Sequence, residues 1–385
     1  MNKKEKIHSL VLVFSFLDLL ILPRVLFGLI FPLSLPLVIL AMAYRFNFRH
    51  LTISTLFLVV MFVSILNGVL FNSENQIEAN IFRAFQLFVM LLYAQLFVHS
   101  YDIFCYIRMV LNVFFCYIGI LLVLFIANPE LYTVIISILY PEALSYFDLN
   151  MEMLRFAYSF SDPNSAGYLI AIALYLYILI GRHNKIFPFI AAIAIGSIFA
   201  TQSRGAYICA SIAVIRYIYL SLFVENKLSL KFFVLIGLIA LSLVIFSDTI
   251  SDFVYFSELR IDSEDEIGGG RLGKYDYFLN NFNIYPFGVG YNLAISGVEF
   301  RPHSDIIRLN LAYGVFALPL LGFFLYPRNT NQFIFILILL VPFSVNSIID
   351  DYRLFSLAVI TFGVLKSVGQ KCKLDMADLK VKRAT

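Results

Sequence analysis

Apolar runs of about 17 to 25 residues, separated by short polar breaks, recur along nearly the whole chain, and this constrains the fold more than any other feature. A bilayer core roughly 30 Å thick is crossed by about 20 mostly apolar helical residues. Backbone N–H and C=O groups meet no water there, so each run must satisfy its own hydrogen bonds as a helix. Composition agrees, with 61% of residues hydrophobic, 14% charged and a mean hydropathy of +0.87. A soluble protein of this size needs more polar surface. The expected class is all-α: a polytopic integral membrane protein of about 12 transmembrane helices.

The expected spans are 7–23, 25–43, 51–70, 80–99, 103–127, 165–181, 186–202, 204–223, 230–247, 304–326, 332–348 and 352–368. The start, Lys3, Lys4, Glu5 and Lys6 before an apolar run, has the outline of a signal peptide. It lacks a small-x-small cleavage site and reads as an uncleaved first helix. The four cysteines form no disulfide framework or metal-ligand spacing. Trp is absent, which leaves the 23 Tyr as interfacial anchors.

Lysine sets the orientation, because positive loops stay in the cytoplasm. With both termini inside, only Lys274 of the twelve lysines falls outside. The chain reads as a single membrane domain, 1–385, with both termini cytoplasmic. Two segments are expected outside: a loop at 128–164 and a larger one with short helices at 248–303. A basic cytoplasmic tail is expected at 369–385.

The outward cations are nearly all arginine: Arg24, Arg83, Arg155, Arg204, Arg260, Arg271, Arg301, Arg308 and Arg353. A guanidinium keeps its charge and grips phosphate with a planar fork. That contrast with the lysine-rich inner side points to an anionic ligand outside, unless the arginines pair with acids such as Asp248, Asp252 and Glu258.

Three segments stand out. In the first, Ser159 to Tyr168, Asp162 or Asn164 caps a following helix that Pro163 helps to start; capping alone would explain it, and direct catalysis is the alternative. The second, Thr201 to Ala206, sets Arg204 at a helix start, where backbone N–H groups and the dipole favour an anion; snorkelling to headgroups is the alternative. The third contains Gly268 to Tyr275 with Arg271 and Lys274, a Pro286-x-Gly288-x-Gly290 turn, and Arg301-Pro302-His303-Ser304-Asp305 with Arg308 beyond. His303 has the chemistry of a general base or hydrogen-bond donor. Asp305 and Arg308 are spaced as an i,i+3 pair, a purely structural use. Gly268 to Lys274 resembles a phosphate-binding loop, but Tyr275 replaces the magnesium-ligating Ser/Thr and no strand precedes it. Nucleotide binding is rejected, and no nucleic-acid partner is expected.

In this order on a 12-span frame, the segments resemble the bacterial O-antigen polymerase and O-antigen ligase superfamily, best over 155–325. The resemblance rests on Phe160 to Asn164, Ser203-Arg204-Gly205, Arg271, the Pro286 to Gly290 turn, and His303-Ser304 with Gly314 eleven residues after His303. It implies a GT-C-like bundle and a glycosyl transfer on the periplasmic face, without metal or cofactor. The donor implied is an undecaprenyl-pyrophosphate-linked oligosaccharide. The catalytic residues it implies are Arg204 and Arg271, clamping the pyrophosphate, and His303, beside the acceptor hydroxyl. Asp162, Asn164, Lys274, Arg301, Ser304, Asp305 and Arg308 would line the substrate. Membrane lipid and a chain-length regulator protein are the further partners expected. Ligases of the superfamily commonly carry Arg-x-x-x-Leu, whereas Tyr275 follows Arg271 and Ile208 follows Arg204 at that spacing. These departures favour polymerase over ligase. A lipid-linked oligosaccharide flippase is the non-enzymatic alternative; it would need midplane charge and repeats, and Asp18 is the only acid deep in an expected span.

Overall fold

The computed structural model describes residues 3–22, 25–26, 29–30, 32–44, 47–71, 77–98, 102–224, 233–234, 237, 251, 275, 280, 286–288, 290, 294–295, 298–299, 304–346, 348–349 and 351–384. It is helical apart from two two-residue antiparallel pairs, β1 (Val25–Leu26) with β2 (Leu29–Ile30) and β3 (Ala294–Ile295) with β4 (Val298–Glu299). The helices are α1 (Lys3–Leu20), α2 (Leu35–Tyr44), α3 (Phe48–Phe71), α4 (Ile77–Leu92), α5 (Ile103–Ala127), α6 (Pro129–Leu139) and α7 (Phe147–Glu152). They continue with α8 (Pro163–Gly181), α9 (Phe187–Ala200), α10 (Arg204–Tyr219), α11 (Asp305–Tyr313), α12 (Ala317–Phe324), α13 (Thr330–Val345) and α14 (Tyr352–Ala384).

The count of about 12 spans is not borne out. Among the described residues, four helices are long and apolar enough to cross a membrane: Phe48–Leu70, Ile103–Ala127, Pro163–Gly181 and Arg204–Val224. Two expected spans are interrupted for physical reasons. The apolar run 25–43 contains Pro32 and Pro36, and its helix forms only from Leu35, since proline inside a helix removes a donor and clashes with the preceding turn. The run 304–326 breaks at Gly314 into α11 and α12. The run 332–368, by contrast, is two helices, and α14 continues through the expected tail to Ala384. The expected loop at 128–164 is largely helical, with α6, a 3-10 turn at Pro141–Tyr146, and α7. The expected span 230–247 and most of 248–303 lie outside the described residues.

α8 is the central element. It buries 16 of its 19 residues, and it packs against α9, α10 and α14. A helix apolar all round belongs inside a bundle. Ala166, Gly167, Ala171 and Ala173 let its neighbours approach closely. α3, α5 and α10 each bury only 33% of the apolar window. Leu56, Val59, Phe62 and Leu66 on α3, with Met109, Val113, Ile120 and Val123 on α5, face outward. An apolar face of that size suits hydrocarbon rather than water.

α1 and α14 run antiparallel and meet where α1 ends. The fully buried Arg353 donates from Nε to the Leu19 carbonyl (2.9 Å), from one terminal nitrogen to the Leu20 carbonyl (2.9 Å) and from the other to Ser159 Oγ (2.7 Å). The Tyr158 hydroxyl also donates to Leu20 O (2.7 Å), and the Tyr140 hydroxyl to Ile21 O. Carbonyls at a helix C-terminus have no partner within the helix and carry the negative end of its dipole. Here a cation and two phenols satisfy them. The guanidinium also lies over the rings of Phe160 (4.9 Å), Tyr158 (5.8 Å) and Tyr140 (6.0 Å).

Candidate active site

The first segment caps α8. Asp162 accepts from the Asn164 backbone N–H (3.0 Å) and from Asn164 Nδ2 (2.9 Å) through the same oxygen, with Pro163 in the first turn. The capping use of Asp162 is therefore real, and it leaves the second carboxylate oxygen for a longer reach. That oxygen accepts from Asn346 Nδ2 at 3.4 Å, just past α13.

The second segment caps α10. Ser203 Oγ accepts from Ala206 N (3.3 Å), and Arg204 follows as the first helical residue with its side chain exposed. The first turns of α8 and α10 interlock. A Cβ on Gly167 would lie 2.6 Å from the Ala206 Cβ, and one on Gly205 would strike the Tyr168 hydroxyl. Glycine after Arg204 is thus what lets the buried Tyr168 phenol reach α10.

The third segment docks onto the turn between α13 and α14. Ser304 caps α11, accepting from Ile307 N (3.4 Å), and donates to the Phe343 carbonyl (3.3 Å). Asp305 is buried; its backbone N–H donates to Asn346 O (3.2 Å), and Oδ2 accepts from Ile348 N (2.7 Å) and Ile349 N (3.2 Å). The charge of Arg308, 4% exposed and one turn on, acts on Asp305. The two line a small cavity with Leu309, Ala312, Tyr313 and Ile349, with room for about one water. Tyr275 donates to Ser344 O (2.9 Å) at the same end of α13.

The Pro286 to Gly290 turn crosses the break between α11 and α12. Gly290 N donates to Ala312 O (2.9 Å), Asn67 Nδ2 of α3 donates to Gly288 O (2.7 Å), and Ser64 Oγ donates to Phe287 O. Gly288 (φ +70) and Gly314 (φ +80) adopt conformations that L side chains avoid. A Cβ on either would run into the other segment's backbone.

Of the expected site residues, Asp162, Asn164, Ser304, Asp305 and Arg308 come together through Asn346 and the α13–α14 turn, and Arg204 lies on the helix interlocked with α8. His303, Arg271, Arg301 and Lys274 lie outside the described residues. Arg155, Arg308 and Arg353, three of the cations expected on the outer side, are buried in the bundle at 9%, 4% and 1% exposure. Asn346 was not singled out, as a lone asparagine after an apolar run carries no motif. Beside Arg353, burial pushes the Tyr140 and Tyr158 phenols up, so both stay protonated as donors.

No curated protein and no solved structure matches the chain. A family model described as O-antigen ligase matches residues 189–322. The match runs from α9 into α12, and includes Ser203-Arg204-Gly205, Arg271, the Pro286 to Gly290 turn, His303-Ser304 and Gly314. It supports the superfamily to which the motifs pointed, the O-antigen polymerases and ligases, whose members are membrane enzymes of the glycosyltransferase kind.

Proposed function

We propose that this chain is a polymerase of surface polysaccharide, joining undecaprenyl-pyrophosphate-linked repeat units at the periplasmic face of the inner membrane. The observation that carries the reading is the Asp162–Asn346–Asp305 connection: with the α8–α10 interlock, it gathers the three segments, far apart in sequence, at one end of the bundle. The starts of α8, α10 and α11 lie at that end, and their dipoles favour anionic groups there.

In the proposed reaction an acceptor sugar hydroxyl attacks the donor's anomeric carbon. The C–O bond to pyrophosphate breaks with its electron pair leaving on the phosphate oxygen. Arg204 and Arg271 hold the developing negative charge, and His303 takes the hydroxyl proton. Asp162, Asn164 and Ser304 hold the helix starts in place around the sugars; Lys274, Arg301, Asp305 and Arg308 complete the substrate-binding set.

The grouping in space of cations already assigned to the inner side supports the sidedness. Arg49, Arg328 and Lys366 lie close enough to act on His50, at the end of the bundle away from Asp162. A basic end is the cytoplasmic one. The ligase reading is kept because the matching model is described as O-antigen ligase. Purified chain supplied with lipid-linked repeat units should lengthen them, and Arg204→Ala, Arg271→Ala or His303→Ala should lower the rate by roughly a hundredfold or more. Transfer to lipid A-core with no chain growth would establish ligase instead. Wild-type rates in all three variants would refute both.

A further inference from the structure

At the end of the bundle away from Asp162, cations from three separate elements converge. Arg49 is the second residue of α3, Arg328 lies in the α12–α13 connection and Lys366 is on α14. Asn329 Nδ2, next to Arg328, donates to the Leu365 carbonyl (3.2 Å) and the Lys366 carbonyl (3.5 Å), which brings the Arg328 segment against Lys366, and all three cations lie near enough to His50 to act on it. Among the described residues no carboxylate pairs with any of them. The His50 ring rests edge-on against Phe324 at 5.4 Å, and its Nδ1 is buried with no hydrogen-bond partner among the described residues. Around this polar spot Phe48, Phe323 and Tyr326 are exposed at 72%, 60% and 60%.

We propose that Arg49, Arg328 and Lys366 form a binding site for the headgroup of an anionic phospholipid, with His50 beneath it. Three like charges held together repel, and a phosphate among them turns that repulsion into attraction. Bare topology explains lysine and arginine on this side, but not their convergence from three elements without an acid. Basic pockets between helices at the cytoplasmic boundary suit lipid phosphates. The exposed Phe48, Phe323 and Tyr326 supply apolar surface for acyl chains, which a soluble phosphate would not use.

Native mass spectrometry of the full chain, released from phosphatidylcholine nanodiscs containing phosphatidylglycerol, reads the retained lipid. The wild type should keep phosphatidylglycerol in preference to phosphatidylcholine. Replacing Arg49, Arg328 and Lys366 together by Gln should weaken that preference by roughly a hundredfold, about fivefold per charge. Removing the same number of charges at Lys4, Lys6 and Lys185 should leave it unchanged. Should the triple variant fail to accumulate, Arg328→Gln alone should show the fivefold loss. Equal retention in wild type and variants, an equal loss on removing the other three lysines, or displacement by millimolar inorganic phosphate would overturn the proposal. Polymerase activity is not part of the readout, so the two proposals fail separately.

Discussion

The Asn346 carboxamide donates to the Asp162 carboxylate at 3.4 Å, across 184 residues of sequence, while the Asn346 backbone carbonyl accepts from the Asp305 backbone N–H. One residue thus ties the cap of α8 to the cap of α11. Asn346→Leu should remove a hydrogen bond to a charged group, worth about 1.5 kcal/mol at this length. Asn346→Asp should do more harm, because it sets a second carboxylate against Asp162. In a reconstituted chain-elongation assay the expected order of rates is wild type, Asn346→Leu, then Asn346→Asp. Equal rates for all three would mean that the link does not position the site.

Arg353 is predicted to be the most costly single truncation in the bundle. Arg353→Leu leaves the Leu19 carbonyl and Ser159 Oγ without this donor in a buried place, and leaves Leu20 O with the Tyr158 hydroxyl alone, a loss of about 3–5 kcal/mol. Arg353→Lys keeps the charge but not the fork, and should recover only part of it. Thermal unfolding in detergent, followed by circular dichroism, should rank wild type above Lys and Lys above Leu.

The glycines of the α11–α12 break separate backbone strain from helix propensity within a few residues. Gly314→Ala places a Cβ against the Pro286 backbone at φ +80 and should cost roughly 2 kcal/mol or more. Gly322→Ala lies on α12 with nothing within 4 Å of the new Cβ, and should stabilise by up to about 1 kcal/mol. The same unfolding measurement checks both, and the two shifts should have opposite sign.

Hydropathy made the helical class and the membrane setting legible, because apolar runs of that length have few other uses. It misplaced helix ends wherever a local backbone need overrode the run. Pro32 and Pro36 were visible in the sequence, and their effect on 25–43 follows from proline chemistry alone. The break at Gly314 was not visible, because it depends on the Pro286 turn crossing α11, and hydropathy carries no information on which backbones touch. At the site, the capping roles of Asp162 and Ser304 were readable from residue type. Asn346 and the buried setting of Arg353 were not: each acts through partners more than 180 residues away, and a single sequence gives no sign of such pairings.

The contact between Gly205 and Tyr168 gives the sharpest prediction for the arginine beside it. A Cβ at Gly205 would strike the Tyr168 hydroxyl oxygen, while the next nearest ring atom would stand 3.0 Å away, a contact that needs only a small adjustment. Gly205→Ala should therefore push α10 off α8 at its first turn and move Arg204 with it. A shift of about 1 Å in a positioning group is enough to cost roughly a hundredfold in rate. Tyr168→Phe removes the clashing oxygen, so the double variant should recover most of the rate that Gly205→Ala alone loses. The pair is then strongly non-additive in the elongation assay, as expected of side chains in direct contact. If the double variant were as slow as Gly205→Ala, the loss would arise from α10 itself rather than from its fit against α8.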